Sequence, residues 1–285
     1  MNQHTDLKST RLDNKIITYL PTLSRSFAAE LIKSGKVTVN KMIELKPSHK
    51  IMPDDIIDVN YDLQELKNIP QLDLPVIYQD ENCIVINKPT GILSHSKGGF
   101  NPEATVASWL QSRVMDMDGD RAGIIHRLDR ATSGVMICAK NNVTAKYLQK
   151  QFADRKVKKT YMAIVEDNLN HESAMIDMSI ERNPKSPGTF RVGPNGKSAQ
   201  TFYRTIKTKH GYSLIELKPT TGRTHQLRVH LSYLKHPIVG DELYDGKKAD
   251  RLYLHAEQLE ITLPGGIRRV FTAKLPSEFA SLLNS

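Results

Sequence analysis

The stretch GIIHRLDRATSGVMICAK, residues 123–140, places a charged connection between two apolar runs. The runs GII and GVMICAK are typical of buried strands, so HRLDRATS is predicted to be a loop or bent connection at a sheet edge. Loops held by strands are where catalytic groups usually lie. This loop carries one carboxylate, Asp129, between Arg127 and Arg130. Taken alone, the segment favours a structural role, in which Asp129 pairs with one of the arginines or caps a turn.

Short apolar runs of the same kind continue through most of the chain after Pro75. They include VIYQD, CIVINKP, TYMAIV, TFYRTIKT, YSLIELKP and LYLHAEQLEI. Helical patterns are fewer, mainly NVTAKYLQKQFAD and THQLRVHLSYLKH. The sequence therefore predicts an α+β fold, with a mixed, mainly antiparallel β-sheet and flanking helices.

The first 62 residues follow a different pattern, which predicts a small separate module. RLDNKIITYLP and SRSFAAELIKSG each place apolar side chains on one helical face, and Gly35 suits the end of the second helix. KVTVN and KPSHKIMPDDIIDVNY are typical of short strands joined by a polar turn. The segment DLQELKNIPQLDLP has mixed polarity and two prolines. We therefore predict domains at residues 1–62 and 75–285, with a linker at 63–74.

The composition fits a globular protein with a polyanionic partner. Hydrophobic residues make up 39% of the 285 residues, and Lys plus Arg exceed Asp plus Glu by 40 to 31. No run is long and apolar enough to cross a bilayer, and MNQHTDLKST lacks the apolar core of a secretory signal. We therefore predict a cytoplasmic protein without a membrane partner. Cys83 and Cys138 lie in apolar runs, which favours buried, reduced thiols.

A second informative stretch is KPTTGRTHQLRVHLSYLKHPIVGDELYDG, residues 218–246. It predicts a strand end, a glycine-containing turn and a helix that Pro237 closes. Leu227, Leu231 and Leu234 form the buried stripe of that helix. Arg228 lies at the margin of the stripe, where a partly desolvated guanidinium needs an anionic partner.

The same stretch raises the alternative of a metal site. His225, His230 and His236 lie close together in sequence, with Asp241 nearby. Zinc-binding helices place paired histidines four residues apart, whereas His225 and His230 are five apart and would point away from each other on a helix. We therefore predict no metal.

A third stretch, RKVKKTYMAIV, places basic residues before an apolar strand that Tyr161 opens. A tyrosine in this position usually packs on the sheet with its hydroxyl at the surface. The residue pattern by itself gives Tyr161 no chemical role.

Together, HRLDRATSG, KKTYMAIV and TGRTHQLRVHLSYLKHPIVGDELYDG, in this order, resemble the RluA/RluC/RluD class of RNA pseudouridine synthases. NKPTGILSH and RLYLHAEQL, at residues 87–95 and 251–259, resemble the same class. LSRSFAAELIKSGKVTVN followed by IMPDDII resembles the S4 RNA-binding domain. The resemblance implies an isomerase that converts uridine in RNA to pseudouridine without a cofactor or metal.

The resemblance also implies roles for individual residues. Asp129 would be the essential carboxylate, Arg228 would pair with it, and Tyr161 would stack on the uracil and help to remove its carbon-five proton. Arg127 would fill the gap that the flipped-out uridine leaves in the RNA. Further RNA contacts are expected from basic and polar residues of both domains, namely Arg130, Lys158, Arg223, His225, Gln226, Arg25, Lys33 and Lys36.

Other functions stay open from the sequence. One is a non-catalytic RNA-binding or ribosome-assembly factor that kept the fold, and another is the same reaction on transfer RNA. A methyltransferase is disfavoured because the chain lacks a glycine-rich cofactor loop. The S4-like domain favours ribosomal RNA, and a monomer is expected. The segment NPKSPGTFRVGPNGKSAQ, residues 183–200, is interpreted as a mobile RNA-contacting loop in preference to a plain hairpin.

Overall fold

The structure is a computed structural model that describes residues 9–21, 23, 25–61, 71–96, 103–115, 117 and 121–284. Backbone contacts divide the chain into two compact units. The N-terminal unit comprises Met1–Leu72 and His95–Trp109, and the sheet unit comprises Asp73–Ser94 and Leu110–Ser285. Residues 63–70 of the predicted linker lie outside the described residues.

The N-terminal unit contains the predicted helices and short strands. Its elements are β1 (Thr10–Arg11), α1 (Leu12–Tyr19), α2 (Arg25–Lys33), β2 (Val37–Val39), β3 (Met42–Ile43), β4 (Lys50–Ile51) and β5 (Ile57–Val59). Strand β1 pairs with β4, while β3, β2 and β5 form an antiparallel sheet. Leu12 and Ile16 of α1 are buried in one cluster with Phe27 and Leu31 of α2, so the predicted amphipathic helices are confirmed. Gly35 follows α2 at φ +73°, a conformation that suits glycine.

A buried carboxylate joins the beginnings of the two helices. Asp13 is buried and accepts hydrogen bonds from Arg11 Nε and Nη2 at 3.0 and 2.8 Å. Arg25 Nε donates to the same carboxylate at 3.1 Å. The hydrogen bonds from Arg11 are the largest influence, and with those from Arg25 they hold the pKa of Asp13 below its ordinary value, although burial opposes the shift.

We expect Asp13→Asn to lower the free energy of opening of α1 and α2 by about 1–2 kcal/mol near neutral pH, because charge-assisted hydrogen bonds are lost. A carboxyl whose folded-state pKa is lowered stabilises the fold above its ordinary pKa and loses that effect as the pH falls through the lowered value. The amide protection factors of the two helices, which are corrected for the slower intrinsic exchange in acid, should therefore fall with pH for the parent chain and much less for the variant. Equal protection of the two proteins at neutral pH would contradict this prediction.

The sheet unit contains most of the strands. Its elements are β6 (Val76–Gln79), β7 (Cys83–Lys88), β8 (Ser133–Ala139), α4 (Asn142–Ala153), β9 (Lys158–Glu166), β10 (Ser173–Asp177), β11 (Ile180–Arg182), β12 (Phe190–Val192), β13 (Gln200–Lys209), β14 (Tyr212–Pro219), α5 (Gln226–Tyr233), β15 (Leu254–Thr262), β16 (Arg268–Thr272) and α6 (Ser277–Asn284). A short helix, α3 (Val106–Leu110), spans the division between the units.

One large sheet organises this unit. In the part of the chain that the structure describes, its strand order is β10-β13-β14-β9-β15-β8-β7-β6, and β16 pairs with the second half of β15. Strands β15 and β8 run parallel, and the other neighbouring pairs are antiparallel. The predicted α+β fold with a mixed, mainly antiparallel sheet is confirmed.

Strand β8 brings the loop at 125–132 to the centre of this sheet. All of its residues are buried, as its apolar run predicts. It approaches β15 most closely at Gly134, where φ is +119° and an added Cβ would lie 2.2 Å from the carbonyl oxygen of Ala256. Glycine is required at this position because a side chain would separate the two strands.

Two local predictions are wrong. GII forms no strand. Ile124 makes a single isolated bridge to Cys138, and the chain then continues into the loop. Residues 183–200 were expected to be a loop, yet β12 within them pairs with β11 as an antiparallel hairpin.

The predicted state of the cysteines is confirmed, since Cys83 and Cys138 are both free and buried. Within the described residues, no helix is long and apolar enough to span a membrane.

Candidate active site

The loop at 125–132 is held in place through its backbone. Ser94 Oγ donates to the carbonyl oxygen of Leu128 at 2.7 Å and accepts the Leu128 amide at 3.1 Å. The carbonyl oxygen of Arg130 accepts from the amide of Gly91 at 2.9 Å. These bonds fix the residues on both sides of Asp129, whatever side chains they carry.

A buried lysine contributes to the same anchoring. Lys88 is fully buried at the end of β7, and its Nζ donates to the carbonyl oxygens of Pro89, Ile92 and Arg130 at 2.9, 2.7 and 3.2 Å. All three ammonium hydrogens thus have acceptors. Burial lowers the pKa of Lys88 to about 7, while the charge of Asp129 acts in the opposite direction.

Asp129 lies beside two nitrogen-bearing side chains. Its Oδ2 is 3.7 Å from Arg228 Nη1 and 3.9 Å from His225 Nε2. The carboxylate keeps 20% of its side-chain surface exposed, whereas the Arg228 side chain keeps 9%. Asp129 is therefore an accessible carboxylate next to a largely buried cation.

Arg228 is oriented mainly by a second carboxylate. Its Nε and Nη2 donate to Asp241 Oδ2 and Oδ1 at 2.7 and 2.6 Å, and its guanidinium lies 5.0 Å from the ring centre of Tyr244. Burial acts to lower the pKa of Arg228, but the hydrogen bonds and charge of Asp241 outweigh it and raise the pKa above its ordinary value. With Nε and Nη2 bound by Asp241, Nη1 is the nitrogen nearest to Asp129.

A tight turn places these residues at the beginning of α5. His225 precedes the helix at φ +56°, a left-handed conformation that is uncommon for a residue with a Cβ. Gln226 Oε1 accepts from Thr221 Oγ1 and from the Arg223 amide at 2.7 and 3.0 Å, and its Nε2 donates to the Gln200 carbonyl at 2.9 Å. Gln226, which was expected to contact RNA, uses its side chain to hold this turn against β13.

Asp129 lines a cavity of about 630 Å³, a volume that includes the open mouth of the cavity. Tyr161 of β9 lines it, and burial, followed by the charge of Asp129, raises the pKa of its phenol above the ordinary value. The phenol is therefore neutral near pH 7. The other predicted site residues that line the cavity are Arg127, Arg223, His225, Gln226 and Arg228.

Several predicted RNA-binding residues lie elsewhere. Lys158 is exposed, and its Nζ lies 3.3 Å from Glu260 Oε1. Arg130 does not line the cavity. Three others belong to the N-terminal unit, on or just after α2, namely Arg25, Lys33 and Lys36.

Three residues of the site were missed or given another interpretation in the sequence. Asp241 was considered as a metal ligand, whereas it is the partner that a desolvated Arg228 requires. Tyr244 and Lys159 were given no individual role. Lys159 lines the cavity, its Nζ donates to the Thr221 carbonyl at 3.0 Å, and burial lowers its pKa to about 8. The alternation of strand β9 was the available signal, since Lys159 and Tyr161 share one face.

The three histidines of this stretch have separate surroundings. His225 lies outside the helix, so the angle expected between it and His230 does not apply. His230 contacts Thr201 Oγ1 and the Met178 carbonyl at 3.1 and 3.0 Å, and His236 contacts the Glu166 carbonyl at 3.0 Å. Across the described ranges, no group of three or more His, Cys, Asp or Glu side chains could hold a metal ion.

The arrangement suits chemistry at an electron-poor sugar carbon. An accessible carboxylate can bond to such a carbon or stabilise its positive charge. The guanidinium of Arg228 beside that carboxylate limits its direction. The neutral phenol of Tyr161 on β9 can pack against a flat ring in the same cavity.

The chain is similar to known proteins over most of its length. The chain matches the family described as RNA pseudouridylate synthase over residues 82–233, and the S4 domain over residues 10–57. It is 39% identical to the ribosomal large subunit pseudouridine synthase D of Borreliella burgdorferi, over 89% of this chain and 82% of that protein. The corresponding enzyme of Yersinia pestis is 34% identical, over 96% of this chain and 90% of that one.

A solved structure shows the same likeness. Human RNA pseudouridylate synthase domain containing 4 superposes with a TM-score of 0.60 at 30% identity, covering 74% of this chain and 92% of that one. The family match includes Asp129, Tyr161 and Arg228, the residues that meet at the cavity. The chain therefore belongs to the RNA pseudouridylate synthase family and carries an S4 domain near its N-terminus.

Proposed function

We propose that this chain converts uridine in large-subunit ribosomal RNA to pseudouridine, with Asp129 as the essential carboxylate. The convergence of Asp129, Arg228 and Tyr161 at one cavity carries the proposal. Both bacterial relatives are ribosomal large subunit pseudouridine synthases, which supports ribosomal RNA as the substrate. The basic net charge and the S4 domain are consistent with an RNA partner.

The reaction is an isomerisation and leaves the atom count unchanged. The bond between ribose carbon one and uracil nitrogen one breaks, the uracil turns, and carbon five bonds to the same ribose carbon. The carbon-five proton then leaves, and nitrogen one gains a proton. In our proposal Asp129 bonds to the ribose carbon or stabilises its charge, and Arg228 lies beside the carboxylate as its cationic partner.

Tyr161 and the cavity keep the detached uracil in place. A flat ring between the phenol and the loop at 125–132 can turn without leaving, and a filled cavity excludes the water that would otherwise capture the sugar. Arg127 is exposed at the rim of this cavity, and we propose that it replaces the uridine in the RNA stack.

The test follows release of tritium from carbon five of uridine. Unmodified ribosomal RNA and transfer RNA, each labelled at this carbon, are incubated with the protein. We expect release into water from ribosomal RNA. Release from transfer RNA alone would identify the other RNA as the substrate. Tight RNA binding without release from either RNA would favour the assembly-factor alternative.

We also propose that the S4 domain binds the RNA backbone through Lys33 and Lys36, both exposed at the end of α2. We expect the double variant Lys33→Ala/Lys36→Ala to weaken binding and to make the plot of log affinity against log salt concentration shallower by about 1–2. Filter binding over a range of salt concentrations measures this slope.

A matched control is the double variant Lys207→Ala/Lys209→Ala near the end of β13. At an ordinary strand rise, Lys209 lies about 30 Å from Gln200, where the strand begins. This double variant removes the same charge and should leave the slope unchanged. An equal change in both double variants would show that overall charge, and no particular surface, determines affinity.

The remaining expectations from the sequence are retained as proposals. They are domains at residues 1–62 and 75–285 with a linker at 63–74, a monomer, and a cytoplasmic location alongside the ribosomal RNA. The proposed reaction uses no cofactor and no metal.

A further inference from the structure

The hydroxyl of Tyr244 lies between a backbone amide and the ring of His225. It accepts the Phe190 amide at 3.0 Å, and it lies 2.8 Å from His225 Nδ1. The amide can only donate, so one lone pair of the hydroxyl oxygen is occupied. If the hydroxyl proton points to Nδ1, both groups are satisfied. If Nδ1 carried the proton, the phenolic proton of Tyr244 would lose the only acceptor with which the hydroxyl forms a hydrogen bond among the described residues.

This hydrogen-bond pattern selects one form of the imidazole. A neutral histidine that accepts at Nδ1 carries its proton on Nε2. His225 Nε2 is the atom that lies 3.9 Å from Asp129 Oδ2. The protonated ring nitrogen of His225 is therefore the one that lies beside the carboxylate of Asp129.

The imidazole is also confined by two aromatic rings. Phe190 and Tyr244 both meet His225 edge-to-face, with ring centres 5.7 and 5.6 Å away. Because Phe190 belongs to β12, the hairpin of β11 and β12 reaches the site through this contact. The left-handed backbone of His225 keeps the ring in this position at the beginning of α5.

We propose that Tyr244 and His225 act as a pair of positioning residues for Asp129. Tyr244 fixes the neutral His225 as the Nε2–H tautomer, whose N–H and Arg228 Nη1 both address Oδ2 of the carboxylate. The other carboxylate oxygen then remains for the ribose. This role rests on the proposed function of Asp129 and departs from the expectation that His225 contacts RNA.

The charged surroundings are consistent with a neutral ring. Burial is the largest influence on His225 and lowers its pKa below the ordinary value. Asp129 and Asp241 act in the opposite direction, and Arg228 and Arg127 act with burial. The lowered pKa favours the neutral form of the His225 ring.

The first test observes the tautomer directly. The full chain is labelled with nitrogen-15 at histidine, and the His225 signals are assigned by their loss in His225→Gln. We expect Nε2 of the parent protein to be protonated and Nδ1 to be unprotonated near neutral pH. Tyr244→Phe keeps the ring against Arg228 but loses the hydroxyl, so it should show both tautomers. A protonated Nδ1 in the parent, or an unchanged tautomer in Tyr244→Phe, overturns the proposal.

The second test uses two amides that imitate different ring nitrogens. The Gln amide reaches the position of Nε2, whereas the Asn amide reaches that of Nδ1. Asn fits the left-handed backbone better, so a structural role predicts that His225→Asn is the milder change. We expect the opposite order, with His225→Asn losing about 10- to 100-fold in kcat and His225→Gln losing clearly less, at similar KM. A smaller loss in kcat for His225→Asn than for His225→Gln would overturn the proposal.

A matched control separates these effects from the general loss of a buried hydroxyl. Tyr253 is a buried residue directly before β15, and its hydroxyl donates to Asp250 Oδ1 at 2.9 Å. It does not line the cavity. Tyr244→Phe should lower kcat about 10-fold, whereas Tyr253→Phe should leave it unchanged. An equal loss in both variants counts against positioning. The tautomer measurement requires no turnover, so failure of the proposed function and failure of this inference are distinguishable.

Discussion

Replacement of Asp129 by Asn is expected to lower kcat at least about 10⁴-fold, the scale on which enzymes lose rate when an essential side chain is removed. The amide has the same size as the carboxylate but can neither bond to the ribose carbon nor offset its positive charge. RNA affinity should stay within about threefold, since RNA is held mainly through its phosphates. Tritium release measures the first quantity, and filter binding measures the second.

The matched control is Asp167→Asn, which makes the same chemical change beyond the far end of β9. Asp167 has φ +59°, a conformation that Asn accepts well, so the fold should be undisturbed. We expect normal turnover. An Asp129→Asn variant that releases tritium at the normal rate would refute the role that we propose for this carboxylate.

Removal of the charge of Asp241 is expected to have the largest effect on stability. In Asp241→Asn, the buried guanidinium of Arg228 loses its anionic partner and one of its two hydrogen bonds, and an NH2 group faces it instead. Breaking one side of a buried ion pair costs about 3–5 kcal/mol, so the free energy of unfolding should fall by about that amount. Turnover should fall as well, because Arg228 is released toward Asp129. Urea unfolding and tritium release measure the two effects.

A double variant separates stability from catalysis. Arg228→Met/Asp241→Leu replaces the ion pair with apolar groups of similar length, a change that is often neutral in free energy. We expect it to recover most of the stability that Asp241→Asn loses but none of the turnover, because Asp129 then lacks its cation. Recovery of both properties would show that Arg228 serves the fold alone.

Local patterns in the sequence predicted most of the fold. The 3.6-residue period identified α1, α2, α4 and α5, and the continuous apolar run identified β8 as fully buried. The position of the loop at 125–132 before that strand was also predicted, whereas the chemical role of Asp129 came from the family resemblance. Asp129, Tyr161 and Arg228 come from separate segments, and their meeting at one cavity was expected only through the family resemblance.

The features that the sequence did not predict depend on tertiary contacts. The binding of Arg228 by Asp241 joins residues that are thirteen positions apart through a turn with no regular period. The left-handed conformation of His225 removes it from the helix that its neighbours begin. The hairpin of β11 and β12 is held partly by Phe190 against Tyr244, which composition cannot reveal.

The way in which the loop at 125–132 is fastened affects how such an enzyme can diverge. Its anchors are the amide of Leu128 and the carbonyl groups of Leu128 and Arg130, which every amino acid provides at these positions except proline at 128. Exchanges at 127 and 130 therefore leave the carboxylate of Asp129 where it is. The side chain at 130 can therefore change as the chain diverges without displacing the carboxylate of Asp129.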